Sequence, residues 1–538
     1  MAHDPNHPAT ASHHDAATAT PLVPSTQVSA TLLQQCSSLL SEIDELQTLL
    51  KGSLRNPQLV EVRQFRSNVN SELKMLQKLE QRMQNNIPAS ADQTDPELEK
   101  RLLHAMRSSN LPFYQAVWNI AKTSCSGLVA LGKRFYWEGE VKSCETTRDA
   151  GKRKNGSGGW EKQPNKDKRK SVFVDIVAGD GEEWVKVSTI SESRLLFDMA
   201  KKGWERDSDD DCLSDEVEEP VKRTILRNFD GEDDENDDDD EPELIKLARD
   251  LRKAADGTRV RYRHPRLRII LPKIMEGDVP EIDDILKEMR SYGIKVECQG
   301  GLSNVSATNL AHLLPQPFKN FTPTLNVDCT LLLAMVSDLS HVKDMPPSPS
   351  FHRAIIRQIE VEKEKPLLPT ELWAAMGDRE LLSTEEAATR MREIVDTIGT
   401  KTEQTRMKIM MGHAPYDQLD RESLIQKFAE MSDYPVPKDW KIPLKIVEAQ
   451  SVIDAAKAQG KLPSVAEKVA EGLSDINHSV FMYGWATGMT TISSNRTIDK
   501  QIEMTIENSR QGDDNSEGPF VWICDTARSL VGKDKDRQ

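Results

Sequence analysis

The stretch LNVDCTLLLAMVSDL at Leu325–Leu339 constrains the fold more than any other part of the chain. A short β-rich run holding Leu325 and Val327 stops at Asp328, and an apolar helical segment, Leu331 to Leu339, begins almost at once. A strand that feeds straight into a helix is the local unit of a parallel α/β sheet. Its last residue then sits at the carboxyl edge, where open α/β folds place their sites. A carboxylate there can hold a hard divalent cation or cap the helix it precedes. Strand and helix patterns alternate from Phe321 onward, so residues 321–538 read as an α/β domain with a parallel sheet flanked by helices. Within it the strand-like ELLST at Glu380–Thr384 leads into a helix that opens with Glu385 and Glu386. Acidic residues favour that position in any case, because they oppose the positive end of the helix dipole.

Upstream, helical periods dominate. Leu32, Cys36, Leu39, Ile43, Leu46 and Leu50 recur at spacings of three and four. After Gly52 and Pro57 a second run carries Val62, Phe65, Val69, Leu73, Leu76, Leu79 and Met83. The pattern predicts two amphipathic helices joined by a short turn, a helical hairpin or short coiled coil. Such a stripe packs against the chain's own core or against a protein partner. A further helix over Pro96–Ser108, a buried helix followed by a strand or turn within Asn110–Trp137, a hairpin over Ser171–Thr189 and a short helix over Ser191–Ala200 complete a mainly helical N-terminal α+β module at 28–204. A polar, basic insertion interrupts it at 138–170. Residues 244–320 read as an α/β connecting segment: a helix in ELIKLARDLRKAA, a strand over Arg259–Ile274, a helix over Val279–Ser291 and a strand over Gly293–Cys298.

Charge is unevenly distributed. The chain carries a formal −16, and residues 205–243 hold 20 acidic and 4 basic side chains, so this block alone accounts for −16. The remainder is close to neutral and free to present a phosphate-binding surface. Self-repulsion and low apolar content predict a disordered linker at 205–243, where Ser208 and Ser214 stand in an acidophilic-kinase context. A second disordered tail is expected at 1–27, where His3, His7, His13 and His14 form a metal-prone tract. With 37% apolar residues, the chain is too polar for one compact globule.

No apolar run reaches the ~18 residues of a membrane span, and the N-terminus lacks a secretory signal, so no membrane partner is expected. The seven cysteines (36, 125, 144, 212, 298, 329, 524) are odd in number and without a CxxC pair. That excludes a disulfide framework and a structural zinc site and points to an intracellular protein, cytoplasmic and/or nuclear. KRK at 152–154 and KDKRK at 166–170 resemble a bipartite nuclear import signal. Phosphate-loop, HExxH, dinucleotide-binding and GxSxG patterns are all absent.

Arg259, Arg261, Arg263, Arg266 and Arg268 fall within ten residues, interleaved with Tyr262 and His264. In an extended chain Arg259, Arg261 and Arg263 share one face, a candidate phosphate-binding stripe for RNA. The alternative is a solvated strand face, or one that attracts acidic segments of the same chain.

The order of segments resembles an uncharacterised eukaryotic protein family with an N-terminal domain of unknown function and a C-terminal PIN-like domain. The resemblance rests on NLPFYQAVWNIAKTS, VDIVAGDGEEWVKVST, RVRYRHPRLRIILPKI, LNVDCTLLLAMVSDLS and LLSTEEAATRMREIVDTIG, which span most of Asn110–Gly399. It implies a PIN-like fold and hydrolysis of a phosphodiester, with Mg²⁺ or Mn²⁺ polarising the phosphoryl oxygen and activating a water. The carboxylates it implies are Asp328 first and Glu385 second, as catalytic residues and metal ligands. A third is expected in a Thr-Gly-Asp-like turn after a late strand, but at Ser479–Thr491 Thr487 and Gly488 are followed by Met489. A thioether cannot replace a hard oxygen ligand. Asp499 and Asp525 are the acids that a shifted register could bring in. The resemblance therefore implies a metal-dependent ribonuclease or a degenerate RNA-binding derivative. The alternative is a non-catalytic adaptor that uses the helical hairpin and the acidic block.

Overall fold

The computed structural model describes residues 25–54, 57–85, 96–137, 170–202, 241–299, 309–346, 348–349, 351–510, 512–514, 516–524 and 530–532. The expectations for most of the N-terminal tail, the basic insertion and the acidic block, and for Asp525, lie outside these residues. The chain forms two compact units, one made of 1–44 and 65–115, the other of 45–64 and 116–538.

The smaller unit is helical. It draws on α1 (Ser25–Ser53), α2 (Arg63–Asn85), α3 (Pro96–Arg107) and the start of α4 (Leu111–Ser124). Its buried residues repeat the apolar period of the sequence: Cys36, Leu39 and Ile43 on α1, and Phe65, Val69, Leu76, Leu79 and Met83 on α2. The Cys36 thiol donates to the Val69 carbonyl at 3.5 Å, and Phe65 meets Tyr114 edge-on at 5.6 Å. This stripe is used up inside the chain and gives no support to a coiled coil between copies.

The larger unit contains two sheets. The first has five strands in the order β1 (Ala130–Trp137), β2 (Lys170–Ala178), β3 (Glu183–Val187), β4 (Arg266–Leu271) and β5 (Ile294–Cys298). The first two pairings are antiparallel, and β3–β4 and β4–β5 are parallel. Between β2 and β3 the chain turns through Gly179, Asp180 and Gly181, all at positive φ. Glycine reaches that region without a Cβ penalty and aspartate tolerates it. On this sheet lie α5 (Glu192–Lys201), α6 (Glu243–Asp256) and α7 (Pro280–Ser291). They enclose an apolar core that includes Trp184, Leu267, Ile269, Leu251, Ile285 and Leu286. Phe135 stacks on Trp184 at 3.7 Å.

Two expectations change here. The β element is larger than foreseen, because β4 and β5 of the connecting segment complete the sheet begun by β1–β3. The strand expected over Arg259–Ile274 shrinks to Arg266–Leu271, since Val260 and Arg263 exchange backbone bonds of 2.8 and 3.1 Å across a tight turn. Arg261 and Tyr262 occupy that turn with φ of 49° and 69°. Positive φ at both central residues is the geometry that usually demands Asn or Gly.

The second sheet is wholly parallel, in the order β10 (Val521–Ile523), β9 (Thr490–Ser493), β6 (Thr324–Val327), β7 (Glu380–Thr384), β8 (Lys445–Val447). Around it pack α8 (Cys329–Val336), the short α9 (Asp338–His341), α10 (Arg353–Glu364), α11 (Trp373–Met376), α12 (Glu385–Ile398) and α13 (Lys401–Met411). The series continues with α14 (Arg421–Ala429), α15 (Gln450–Ala458), α16 (Val465–Glu471), α17 (Asp475–Asn477), α18 (Tyr483–Thr487) and α19 (Arg496–Ser509). The fold is thus mixed α/β, with a helix-flanked parallel sheet where the sequence pattern placed one. At Gly484 a Cβ would collide with the Thr491 hydroxyl, so glycine lets α18 lie directly on β9. Among the described residues no helix is long and apolar enough to cross a membrane.

Candidate functional site at the carboxyl edge of the parallel sheet

From β6 the chain passes to β7 on one side, while β9 returns on the other. Strand order reverses at the carboxyl ends of β6 and β9, the usual position of a site in this architecture. Asp328 stands at this point, directly after β6, with only 2% of its surface exposed. Its side chain lacks a full capping hydrogen bond to α8, although the Cys329 and Thr330 N–H groups lie near enough to help hold its pKa down. Instead Oδ2 accepts hydrogen bonds from the Ser493 and Thr330 hydroxyls, each at 2.6 Å. Both hydroxyls are used twice: Thr330 Oγ1 accepts the Ser494 N–H at 3.0 Å, and Ser493 Oγ accepts the Asn495 N–H at 2.9 Å. Burial pushes the Asp328 pKa above the ordinary carboxyl value, and the two hydroxyl bonds oppose that rise.

Among the described residues no further acids gather with Asp328 into a group that could hold a metal ion. Glu385 opens α12 in an exposed position, one residue beyond β7, and Thr384 caps that helix by accepting the Ala387 N–H. Its neighbour Glu386 turns inward: it is half-buried, and its Oε2 is enclosed with no hydrogen-bond partner. Two adjacent glutamates at a helix start look alike in sequence, so nothing there could have ranked Glu386 above Glu385. Met489 lies at the opposite end of β9 from Asp328. Gly488 ends α18 in the left-handed region with φ 66°, and Met489 leads into the strand, half-buried against the core. The expected third-carboxylate turn is therefore a helix end ahead of the strand. The carboxyl end of β9 carries Ser493, Ser494 and Asn495. Asp499 sits in the first turn of α19, where burial and the like charge of Glu503 push its pKa up to about 6.

A divalent cation doing phosphodiester chemistry needs several hard oxygen ligands at one point. Among the described residues no group of three or more His, Cys, Asp and Glu side chains comes together. The donors around Asp328 are hydroxyls already committed to it. This set of described donors does not fit Mg²⁺ or Mn²⁺.

The five arginines are not aligned. Arg259 pairs with Glu507 at 3.0 Å and Asp514 at 2.6 Å. Arg261 pairs with Glu182 at 3.3 Å and lies 5.5 Å from the Phe520 ring centre. Arg263 binds Glu517 through Nε at 2.7 Å. Arg268 is buried in the first sheet between Glu183 at 3.1 Å and Glu297 at 3.0 Å. Arg266 opens β4 in an exposed position. Between Arg261 and Arg263, Tyr262 packs against the core of the second sheet, and Arg510 donates to its carbonyl at 3.2 Å. Arg261 thus sits within, and Arg259 and Arg263 beside, a turn that ties the first sheet to the C-terminal segment.

Sequence reasoning also missed a buried ionic network behind α8. Arg406, 2% exposed, binds Asp338 at 2.6 Å and the carbonyls of Val336 and Met431, each at 3.1 Å. Thr400 and Thr402 donate to the same carboxylate. Glu403, fully buried, accepts the N–H groups of Asp338, Thr400 and Val531. Its pKa is pushed up by burial against the pull of those bonds. Only tertiary contacts reveal that polar residues of α13 face inward.

Residues 325–427 match the model of a family described as a protein of unknown function, DUF1308. The matched stretch begins on the first buried residue of β6 and runs into α14, so it contains Asp328, Glu385, Glu386 and most of the Arg406 network. No curated protein and no solved structure matches the chain. The family match supports a domain of unknown function in the C-terminal region.

Proposed function

We propose that the chain is a non-catalytic interaction protein whose C-terminal domain is a PIN-like fold without nuclease chemistry. The observation that carries this reading is the state of Asp328: among the described residues it is a buried carboxylate bonded to two hydroxyls and outside any acidic cluster, where metal-assisted hydrolysis needs one. Hydroxyl and amide groups at the end of β9 bring no negative charge to hold a cation. Asp328 then works as a structural tie between β6 and β9. The arrangement of Arg259, Arg261 and Arg263 points the same way, since their carboxylate partners within the chain compete with any phosphate backbone.

The test is Mn²⁺-dependent cleavage of single-stranded RNA by the purified full chain and by Asp328→Asn. The expected result is no cleavage above the metal-free control in either protein. Metal-dependent cleavage by the wild type that Asp328→Asn abolishes would sink the proposal and restore the ribonuclease reading.

A further inference from the structure

The first sheet carries a separate cationic pocket at the end of the β1–β2 pair where Trp137 closes β1 and Lys170 opens β2 as cross-strand partners. Its volume is about 240 Å³. The positive side chains are Lys170, Lys246, Arg249 and Lys253; Asp250 is the single acid, and Trp137 and Ser171 complete the wall. On α6 the spacing 246, 249, 250, 253 places these side chains on one helical face. The opposite face is buried through Leu244, Ala248, Leu251 and Ala255. Arg249 pairs with Glu241 at 2.8 Å. Lys170, Lys246 and Lys253 make no ion pair among the described residues. Even with Asp250 and Glu241 counted, the pocket is net positive, and a concave wall concentrates that potential.

Size and spacing narrow the ligand. The volume lies below the ~300 Å³ at which drug-sized ligand pockets begin. The pocket can enclose a small anion or the charged end of a larger ligand. Lys246 and Lys253 rise from points about 10 Å apart along the helix axis, with Arg249 between them and Lys170 opposite; two linked phosphates bring more charge and more acceptor oxygens to that spread of cations than one phosphate does. We propose that this pocket binds a pyrophosphate group, either as the free anion or as the terminal part of a small ligand that extends past Trp137.

The test is isothermal titration of the full chain with inorganic pyrophosphate at 0.15 M salt, with inorganic phosphate in parallel. We expect one site per chain, binding pyrophosphate at least tenfold more tightly than phosphate. Lys246→Gln combined with Lys253→Gln should weaken pyrophosphate binding tenfold or more. Both lysines are exposed, so an unchanged melting temperature will establish that the double variant is folded. Lys427→Gln, in a surface pair with Glu430 on α14, should leave binding unaltered. Absence of binding, equal affinity in the double variant, or equal affinity for phosphate overturns the proposal. A chain whose acidic residues within 205–240 are replaced by Asn and Gln supplies a further arm. Binding that emerges only there overturns it as well, because the pocket then belongs to the chain's own acidic block.

Discussion

The Ser493 hydroxyl donates a 2.6 Å hydrogen bond to Oδ2 of Asp328 and ties the end of β9 to the end of β6 across 165 residues of chain. Thr330 supplies the second donor from the first turn of α8. A buried carboxylate that loses a donor is left with an unmet desolvation cost. Ser493→Ala and Thr330→Val should each therefore lower unfolding free energy by about 1–3 kcal/mol. Because both bonds end on one oxygen, the double variant should depart from additivity. Urea denaturation of the four proteins measures this. A Ser493→Ala chain as stable as the wild type would show that the tie contributes nothing.

Acid sensitivity should trace to His341. Its imidazole is fully buried, bonded to the Met335 carbonyl and the Ser432 hydroxyl. Burial, aided by the Arg406 charge, pulls its pKa down to about 3. The unfolded chain takes up this proton near pH 6.5 and the folded chain does not. Its stabilising contribution is therefore complete above pH 6.5 and is lost as pH falls towards 3. Between pH 6.5 and 5 the loss is about 2 kcal/mol. Thermal unfolding of His341→Gln should show a flatter acid limb than the wild type, and an equal slope would remove His341 from it.

Asp499 acts with the opposite sign. Its pKa is raised to about 6 by burial and by Glu503, so the folded state favours the protonated acid. The contribution is present below the unfolded carboxyl value near 4 and is lost as pH rises through 6. Asp499→Asn should accordingly stabilise the chain at pH 7, by about 1 kcal/mol once partial exposure is allowed for, and leave it unchanged at pH 4. Melting temperatures at the two pH values decide it. A variant that melts below the wild type at pH 7 contradicts the assignment.

The sequence made some of this architecture readable and concealed the rest for physical reasons. Asp328 could be placed because a β-rich run broke straight into an apolar helix, and the structure keeps that boundary. The β2–β3 hairpin was visible through Gly179 and Gly181. The turn at Val260–Arg263 was hidden, because Arg261 and Tyr262 hold left-handed backbone without Gly, Asn or Asp, a strain of roughly 1–3 kcal/mol each that local propensity argues against. Burial of Tyr262 and the surrounding ion pairs offset it. Pairing of Glu183–Val187 with Arg266–Ile270 runs across the acidic block, and no local pattern encodes so distant a partner. The end of β9 was misjudged because Thr487 and Gly488 imitate a site turn, whereas the Ser493 and Thr330 hydroxyls look like any polar strand end.

The same turn gives the sharpest separation between a fastening role and RNA recognition for the arginines. Tyr262 fills the space beside Gly518, where a Cβ would collide with its ring, and Arg259, Arg261 and Arg263 pair with acids on either side. Tyr262→Ala should remove the apolar contact that holds the strained turn and cost about 3–5 kcal/mol, in the range of large-to-small aromatic truncations. Arg261→Gln with Arg263→Gln breaks exposed pairs and the Phe520 contact, for about 1 kcal/mol in total. Under the fastening role, the double variant melts lower while its affinity for single-stranded RNA keeps the same dependence on salt. An RNA-binding stripe predicts the reverse: unchanged melting, and a salt slope reduced by about two, one for each phosphate contact removed. The two measurements on one variant therefore assign these arginines without reference to catalysis.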